Sequence, residues 1–224
     1  MIKAVLIDID NTLLDFNLSA FESVRQTFTD NGLPVDESTF STFKKINDEL
    51  WLKIERAELD RAGLHKIRFE LILKALGLKA DGQKIEREFR SNLFNIAIPV
   101  KDAKEILEYL SSKYAIYLAS NAIYNQQVNR LTKSRLIGFV KNLFISERIG
   151  FNKPTKEFFD ECFKNMNGIK PSETVMIGDS ITADVIGGKD YGMTTVWYNH
   201  DKSNTPCDKA DYKIENLLQI KEIL

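Results

Sequence analysis

Short runs of aliphatic and branched residues, each ended by polar or turn-forming residues, limit most sharply what this chain can fold into. They are Ala4 to Ile9, Ala115 to Ala119, Leu143 to Ile145, Thr174 to Ile177 and Thr194 to Trp197. Apolar runs of this length without alternation read as strands buried on both faces, as central parallel strands are. Helical spacing fills the gaps: Ile106, Leu107 and Leu110 share one face, Val128 and Leu131 another, and Phe158, Phe159 and Phe163 a third. Thr155 stands where an N-cap would begin the last of these helices, and Gly168 just past its end. Strand alternating with helix over Lys101–Leu224 predicts an α/β fold, a doubly wound and mostly parallel sheet.

Residues 16–97 break that rhythm. They are charged and helical throughout, with apolar positions at Phe21, Val24 and Phe28, at Phe40, Phe43, Ile46 and Leu50, and at Leu71, Ile72 and Ala75. Turn signals at Asn31-Gly32-Leu33-Pro34, Ala62-Gly63 and Asp81-Gly82 divide the stretch into about four helices. The organisation expected is a core domain from residues 1–15 and 98–224, with an inserted helical domain at 16–97. Of the 224 residues, 43% are hydrophobic and 28% charged, which excludes wholesale disorder. Two cysteines and two histidines are too few for a zinc cluster or a disulfide framework. A net charge of −1 gives no electrostatic reason to expect a nucleic-acid polymer or an anionic membrane as partner. Asp8 and Asp10 interrupt the first apolar run too early for a signal peptide, and no run approaches the ~20 residues of a bilayer span. A cytoplasmic protein is expected.

Chemistry concentrates at the ends of the predicted strands. Asp8-Ile9-Asp10-Asn11-Thr12 closes the first, Ser120-Asn121 the second, and Lys153-Pro154 follows the third. Gly178-Asp179-Ser180 closes the fourth, with Asp184 five residues beyond Asp179. Each has an ordinary alternative: Asp10 and Thr12 as turn caps, Ser120 and Asn121 as turn formers, Lys153 as a solvated charge, Asp179 as an N-cap. Parallel sheets bind ligands at the carboxyl ends of their strands, and the coincidence of all four clusters there favours one crevice. Carboxylates at 8, 10 and 179 within ~4 Å of one another would repel by roughly 4 kcal/mol per pair at an effective dielectric near 20. One lysine cannot offset that, whereas a hard divalent cation can, and an all-oxygen ligand set points to Mg2+. Cation and lysine together would let a carboxylate approach a dianionic phosphate, which suits phosphoryl transfer.

In order and strand placement, Asp8-Ile9-Asp10-Asn11-Thr12, Ser120, Lys153 and Gly178-Asp179…Asp184 resemble the four motifs of the haloacid dehalogenase superfamily, across the whole chain. The resemblance implies a Rossmann-like core and assigns roles. Asp8 would be the nucleophile and bind Mg2+ through one oxygen. Asp10 would protonate the leaving alkoxide, then activate water, its backbone carbonyl on the metal. Ser120 and the amide of Asn121 would hold the phosphoryl group. Lys153 would neutralise Asp8 and phosphate, with Lys156 a nearby rival. Asp179 would bind the metal, and Asp184 would position its waters or Lys153, with Thr12 in support. Dehalogenases of the superfamily lack the second aspartate because a halide needs no proton, so Asp10 favours a phosphatase. The implied partner is a small phosphomonoester, with monomer and homodimer both open.

An insertion between the first two motifs resembles the helical cap of the first subclass, which closes over the phosphate and carries leaving-group contacts. Asn47…Leu50-Trp51 followed by Arg68-Phe69 is similar to the cap of pyrimidine 5′-nucleotidases, although Glu55-Arg56-Ala57-Glu58 stands where that pattern often has a glycine. That resemblance makes Asn47, Trp51 and Arg68 candidate substrate contacts. Their ordinary alternatives are a helix contact for Asn47, core packing for Trp51 and an ion pair for Arg68. The expected activity is hydrolysis of a nucleoside 5′-monophosphate through an aspartyl-phosphate. Alternatives are a phosphosugar or phosphoglycolate phosphatase and, from another class, a receiver-like phospho-aspartate module, which would be about half this length. His65 and His200 read as surface or packing residues, Cys162 as core, and Gly187-Gly188 as glycines packed closely on the sheet.

Overall fold

The computed structural model describes residues 1–224. Strand β1 (Ala4–Ile7) is followed by helices α1 (Phe16–Asp30), α2 (Glu37–Glu55), α3 (Arg61–Ala75) and α4 (Gly82–Asn95). Then come α5 (Ala103–Ser111), β2 (Ala115–Ser120), α6 (Tyr124–Lys133), β3 (Asn142–Ile145), α7 (Ser146–Ile149), α8 (Lys156–Lys164) and β4 (Thr174–Gly178). A π-helical turn, Ile181–Ile186, runs into α9 (Gly187–Asp190), and β5 (Thr194–Tyr198) and β6 (Tyr212–Ile214) complete the sheet. Two compact units result: Met1–Asp15 with Ile98–Leu224, and Phe16–Ala97.

In the first unit the strands lie in the order β3-β2-β1-β4-β5-β6, and every pairing is parallel. β1 sits between β2 and β4, with Leu6 level with Tyr117 on one side and Met176 on the other. Its alternate residues serve two cores. Val5 and Ile7 join Ile116, Leu118, Val175 and Ile177 under Ile106, Leu107 and Leu110 of α5. Ala4 and Leu6 join Tyr117, Ala119 and Met176 under Phe158, Phe159 and Cys162 of α8. A strand buried on both faces has no room for alternating polar residues, which is why the runs read as they do. The chain builds β2 and β3 to one side of β1 and β4 to β6 on the other. This topological switch leaves a crevice at the carboxyl ends of β1 and β4.

Four local features depart from the sequence reading. β1 leaves the ladder after Ile7, and Ile9 is buried as the acceptor of a tight turn, taking the amides of Leu13 and Leu14 at 2.9 and 2.8 Å. β6 was not expected: it has three residues, and Tyr212 and Lys213 are exposed, so no apolar run marks it. The helix that Asp179 was expected to cap opens into a π-helical turn around Asp184, whose side chain is buried. Such turns are frequent at functional sites. Along α6, Val128 is only half-buried, and the inward face is Gln127, Arg130 and Leu131. Other expectations stand. Thr155 caps α8 by accepting from the amide of Phe158, and a Cβ on Gly188 would lie 3.0 Å from the Met176 Cβ, so α9 packs closely on the sheet.

The second unit is the four-helix stretch. Phe28, Phe43, Phe69 and Phe89 meet at its centre with ring centroids 5.2–6.3 Å apart. Asp60 and Asp81 cap α3 and α4, so Gly63 lies inside the first turn of α3, where Ala62-Gly63 had suggested a break. Leu71 is exposed because the buried face of α3 runs through Leu64, Arg68, Phe69, Ile72 and Leu73 instead. Arg68 is 3% exposed; its Nε and Nη2 donate to Glu86 at 3.0 and 2.7 Å, and its Nη1 to Asn47 Oδ1 at 2.9 Å. The guanidinium lies 4.7 Å from the Phe89 ring centroid, and His65 Nδ1 is 2.8 Å from Glu86. Asn47 is buried too, whereas Trp51 is half-buried against Leu50, Ile54 and Leu64. In this structure the polar groups of Asn47 and Arg68 brace the bundle. A guanidinium beside three phenylalanine rings requires internal acceptors, and Asn47 and Glu86 supply them.

Arg68→Ala should therefore strand Glu86 as a buried carboxylate and destabilise the protein by about 3–5 kcal/mol in urea unfolding. Combining Arg68→Met with Glu86→Leu should recover most of that loss. A single variant within about 1 kcal/mol of wild type would contradict a bracing role.

Candidate active site

Four strand ends converge in the crevice of the first unit. Asp8 follows β1, and its amide still donates to the carbonyl of Ile177 in β4 at 2.9 Å, so the residue is anchored at the carboxyl end of the central strands. Lys153 follows α7 and is 2% exposed. Its ammonium donates to Asp8 Oδ1 at 2.6 Å, Asp184 Oδ1 at 2.6 Å and the carbonyl of Ala119 at 2.7 Å. All three donors of the lysine are thus engaged. Lys156 instead lies exposed on α8, bonded to Asp160.

Backbone details place that lysine. Asn121 grips the main chain of Lys153 at two points: Nδ2 donates to its carbonyl at 2.9 Å, and Oδ1 accepts from its amide at 2.8 Å. The Lys153–Pro154 bond is cis. Asp184 Oδ2 accepts from the amide of Ser180 at 3.1 Å. A Cβ on Gly178 would lie 2.1 Å from that same oxygen, so only glycine lets the carboxylate pass behind β4.

Asp8, Asp179 and Asp184 bring carboxylate oxygens within 4.8 Å of one another. The Asp179 carbonyl accepts from Trp197 Nε1 at 3.0 Å, and its Oδ2 lies 3.5 Å from His200 Nε2. Three carboxylates and one ammonium leave a surplus of negative charge in a largely buried place. Burial pushes the Asp8 carboxyl well above the usual carboxylate range; Asp184 and Asp179 add to the shift, and Lys153 opposes it. Asp184 is raised likewise, chiefly by burial. Burial pulls the Lys153 pKa down, but Asp184 and Asp8 outweigh it and raise it. Such a hard, oxygen-only set suits a divalent cation of the Mg2+ type.

Asp10 is oriented differently. Its Oδ1 accepts from Arg130 Nη1 and its Oδ2 from Gln127 Nε2, both at 2.5 Å, so its carboxylate stands with α6 and outside the acidic cluster. Gln127 Nε2 also reaches Ser120 Oγ at 3.2 Å, and Ser120 is buried. Thr12 is fully buried, with no protein partner for its hydroxyl. Sequence reasoning missed Gln127 and Arg130. The one available signal was the shortage of aliphatic residues in Tyr124–Lys133, where only Val128 and Leu131 could fill a buried face.

Comparison with known proteins gives the family. A family model described as haloacid dehalogenase-like hydrolase matches residues 2–192. The HAD-hydrolase YfnB of Bacillus subtilis is 33% identical over 223 residues, covering 99% of this chain and 95% of that one. Its crystal structure bound to magnesium superposes with a TM-score of 0.94, covering 100% and 98% of the two chains. Pyrimidine 5′-nucleotidase PynA of Streptococcus pneumoniae is 28% identical, covering 99% and 94%. A glyceraldehyde 3-phosphate phosphatase of Methanothermobacter thermautotrophicus is 28% identical over the full length of both chains.

The raised carboxyls fix a sign for stability. Between its ordinary value near 3.8 and its raised folded value, each of Asp8 and Asp184 keeps a proton in the folded state that the unfolded chain has released. Stability conferred at low pH is then lost as pH rises through that window. The lowered carboxyls of Asp36, Asp160, Glu173 and Asp211 act oppositely, but only at more acid pH. In EDTA, Tm should decline from about pH 4.5 towards neutrality, and Asp184→Asn should flatten the decline. A Tm that climbs over this range would contradict the assignment.

Proposed function

We propose that this chain, which belongs to the haloacid dehalogenase-like hydrolases, hydrolyses phosphomonoesters in a Mg2+-dependent reaction through an aspartyl-phosphate on Asp8. The observation that carries the proposal is the contact of Lys153 with both Asp8 and Asp184 beside Asp179. A buried carboxylate held by an ammonium can meet a phosphate dianion without prohibitive repulsion.

In the first half-reaction an Asp8 oxygen bonds to phosphorus while the bond from phosphorus to the ester oxygen breaks. Asp10 gives its proton to the departing alkoxide. In the second, water attacks the phosphorus of the acyl phosphate and yields its proton to Asp10, and the Asp8 carboxylate is released with inorganic phosphate. Ser120 Oγ and the Asn121 amide donate to the phosphoryl oxygens, Lys153 neutralises charge, and Asn121 and Asp184 keep Lys153 in place. Asp8, Asp179 and the Asp10 carbonyl would hold Mg2+, with Asp184 in support, and the ion, when bound, supplies charge neutralisation at the phosphoryl group. The oxygen-only donors and the uncompensated charge among the three aspartates favour this ion.

The helical unit Phe16–Ala97 is read as the cap that selects the leaving group. Similarity to PynA favours a nucleoside 5′-monophosphate, pyrimidine first. Trp51 is half-buried, whereas Asn47 and Arg68 are engaged within the bundle, so Trp51 is the cap candidate read as stacking on a base. The full-length similarity to a glyceraldehyde 3-phosphate phosphatase supports a second reading, a small phosphosugar substrate.

A panel of UMP, dUMP, TMP, purine nucleotides, glyceraldehyde 3-phosphate and 2-phosphoglycolate, each with Mg2+ or EDTA, tests these readings. Pyrimidine nucleotides should give the highest kcat/KM, activity should vanish in EDTA, and Asp8→Asn should be inactive while folded. Preference for glyceraldehyde 3-phosphate would favour the second reading, and inertness towards every ester would overturn both. Mg2+ at a hundred times its Kd should stabilise the protein by about 2.7 kcal/mol, and Asp179→Asn should diminish the shift. If Trp51 stacks on the base, Trp51→Ala should raise KM for UMP about tenfold or more while leaving p-nitrophenyl phosphate nearly unaffected. Equal losses on both substrates would return Trp51 to packing.

A further inference from the structure

Asp10 is gripped by two side chains that the proposed chemistry does not use. Gln127 and Arg130 are fully buried and stand three apart on α6, so they project from one face. Arg130 Nη1 donates to Asp10 Oδ1 at 2.5 Å and to Gln127 Oε1 at 3.2 Å. Gln127 Nε2 donates to Asp10 Oδ2 at 2.5 Å and to Ser120 Oγ at 3.2 Å. The amide therefore bridges the proton carrier and the serine that meets the phosphoryl group, and the guanidinium fixes the amide. A buried arginine is held only at considerable desolvation cost, and bulk packing alone does not require a cation at this position.

Resting on the phosphatase reading above, we infer that Gln127 and Arg130 are positioning residues. They set the place of the Asp10 carboxyl relative to Ser120, and so relative to the leaving oxygen of a phosphate bound there. Both oxygens of Asp10 accept from α6, so the carboxyl must give up one of these bonds to turn to the ester oxygen while the other still holds it. The Asp10 side chain is 29% exposed, so removing the clamp would leave it free to turn towards solvent. A misplacement of about 1 Å costs on the order of 10²-fold in a positioned step, and general acid help is worth about 10²–10⁴-fold.

The experiment follows release of the leaving alcohol with enzyme in excess, which reports the first half-reaction alone, for p-nitrophenyl, phenyl and alkyl phosphates with Mg2+. Wild type should show a shallow dependence on the leaving group. Gln127→Met and Arg130→Met should steepen it, slowing phenyl and alkyl esters about 10²-fold while p-nitrophenyl phosphate, whose leaving group needs no proton, is nearly unchanged. KM should stay constant, and Arg130→Lys should recover part of the loss. If Arg130→Met does not fold, Gln127→Met, which is nearly isosteric, carries the test. An unchanged slope, or an equal loss on all three esters, in a folded variant would overturn the clamp. Wild type that releases no alcohol would instead overturn the phosphatase reading.

Discussion

The Lys153 ammonium is the contact on which the rest of the site depends. Its three hydrogen bonds join the ends of separate elements: Asp8 after β1, the Ala119 carbonyl in β2, and Asp184 in the π-helical turn after β4. Removing it would leave two buried carboxyl groups without their ammonium partner, at a cost of several kcal/mol. The features around it make sense as its supports. Asn121 fixes its main chain at two points, and Gly178 leaves space for Asp184 to approach.

Two of the buried ionic networks in this chain invite opposite interpretations. In the helical unit, Arg68 faces Glu86 with Asn47 and His65 alongside, and the formal charges of Arg68 and Glu86 cancel within the bundle. Such a charge-balanced set braces a helical core. In the α/β unit, Asp8, Asp179 and Asp184 outnumber Lys153, and burial leaves the excess poorly solvated. An unbalanced, partly open set is unfavourable for folding and is retained where it serves chemistry.

The sequence carried the sheet because strands buried on both faces cannot hide their composition: all five expected runs became β1 to β5. It carried the strand-end clusters for a related reason, since polar residues abruptly ending an apolar run have few places to go except the carboxyl edge of the sheet. β6 escaped notice because two of its three residues face solvent. The inward face of α3 was misread because it runs through Arg68, and a charged residue looks exterior until its partners, 18 and 21 residues away, are known. Gln127 and Arg130 escaped for the same reason, since Asp10 lies more than a hundred residues away in sequence. Periodicity finds apolar faces. A polar face that is buried becomes legible only in three dimensions.

The central claim is that phosphorus becomes bonded to the carboxylate at position 8. Borohydride quenching during turnover reduces an acyl phosphate to the alcohol, converting the modified aspartate to homoserine, and peptide mass spectrometry locates the change. The account predicts homoserine at position 8 alone, formed only when substrate and Mg2+ are both present. Homoserine at another position, or an unmodified chain during steady turnover, would contradict it.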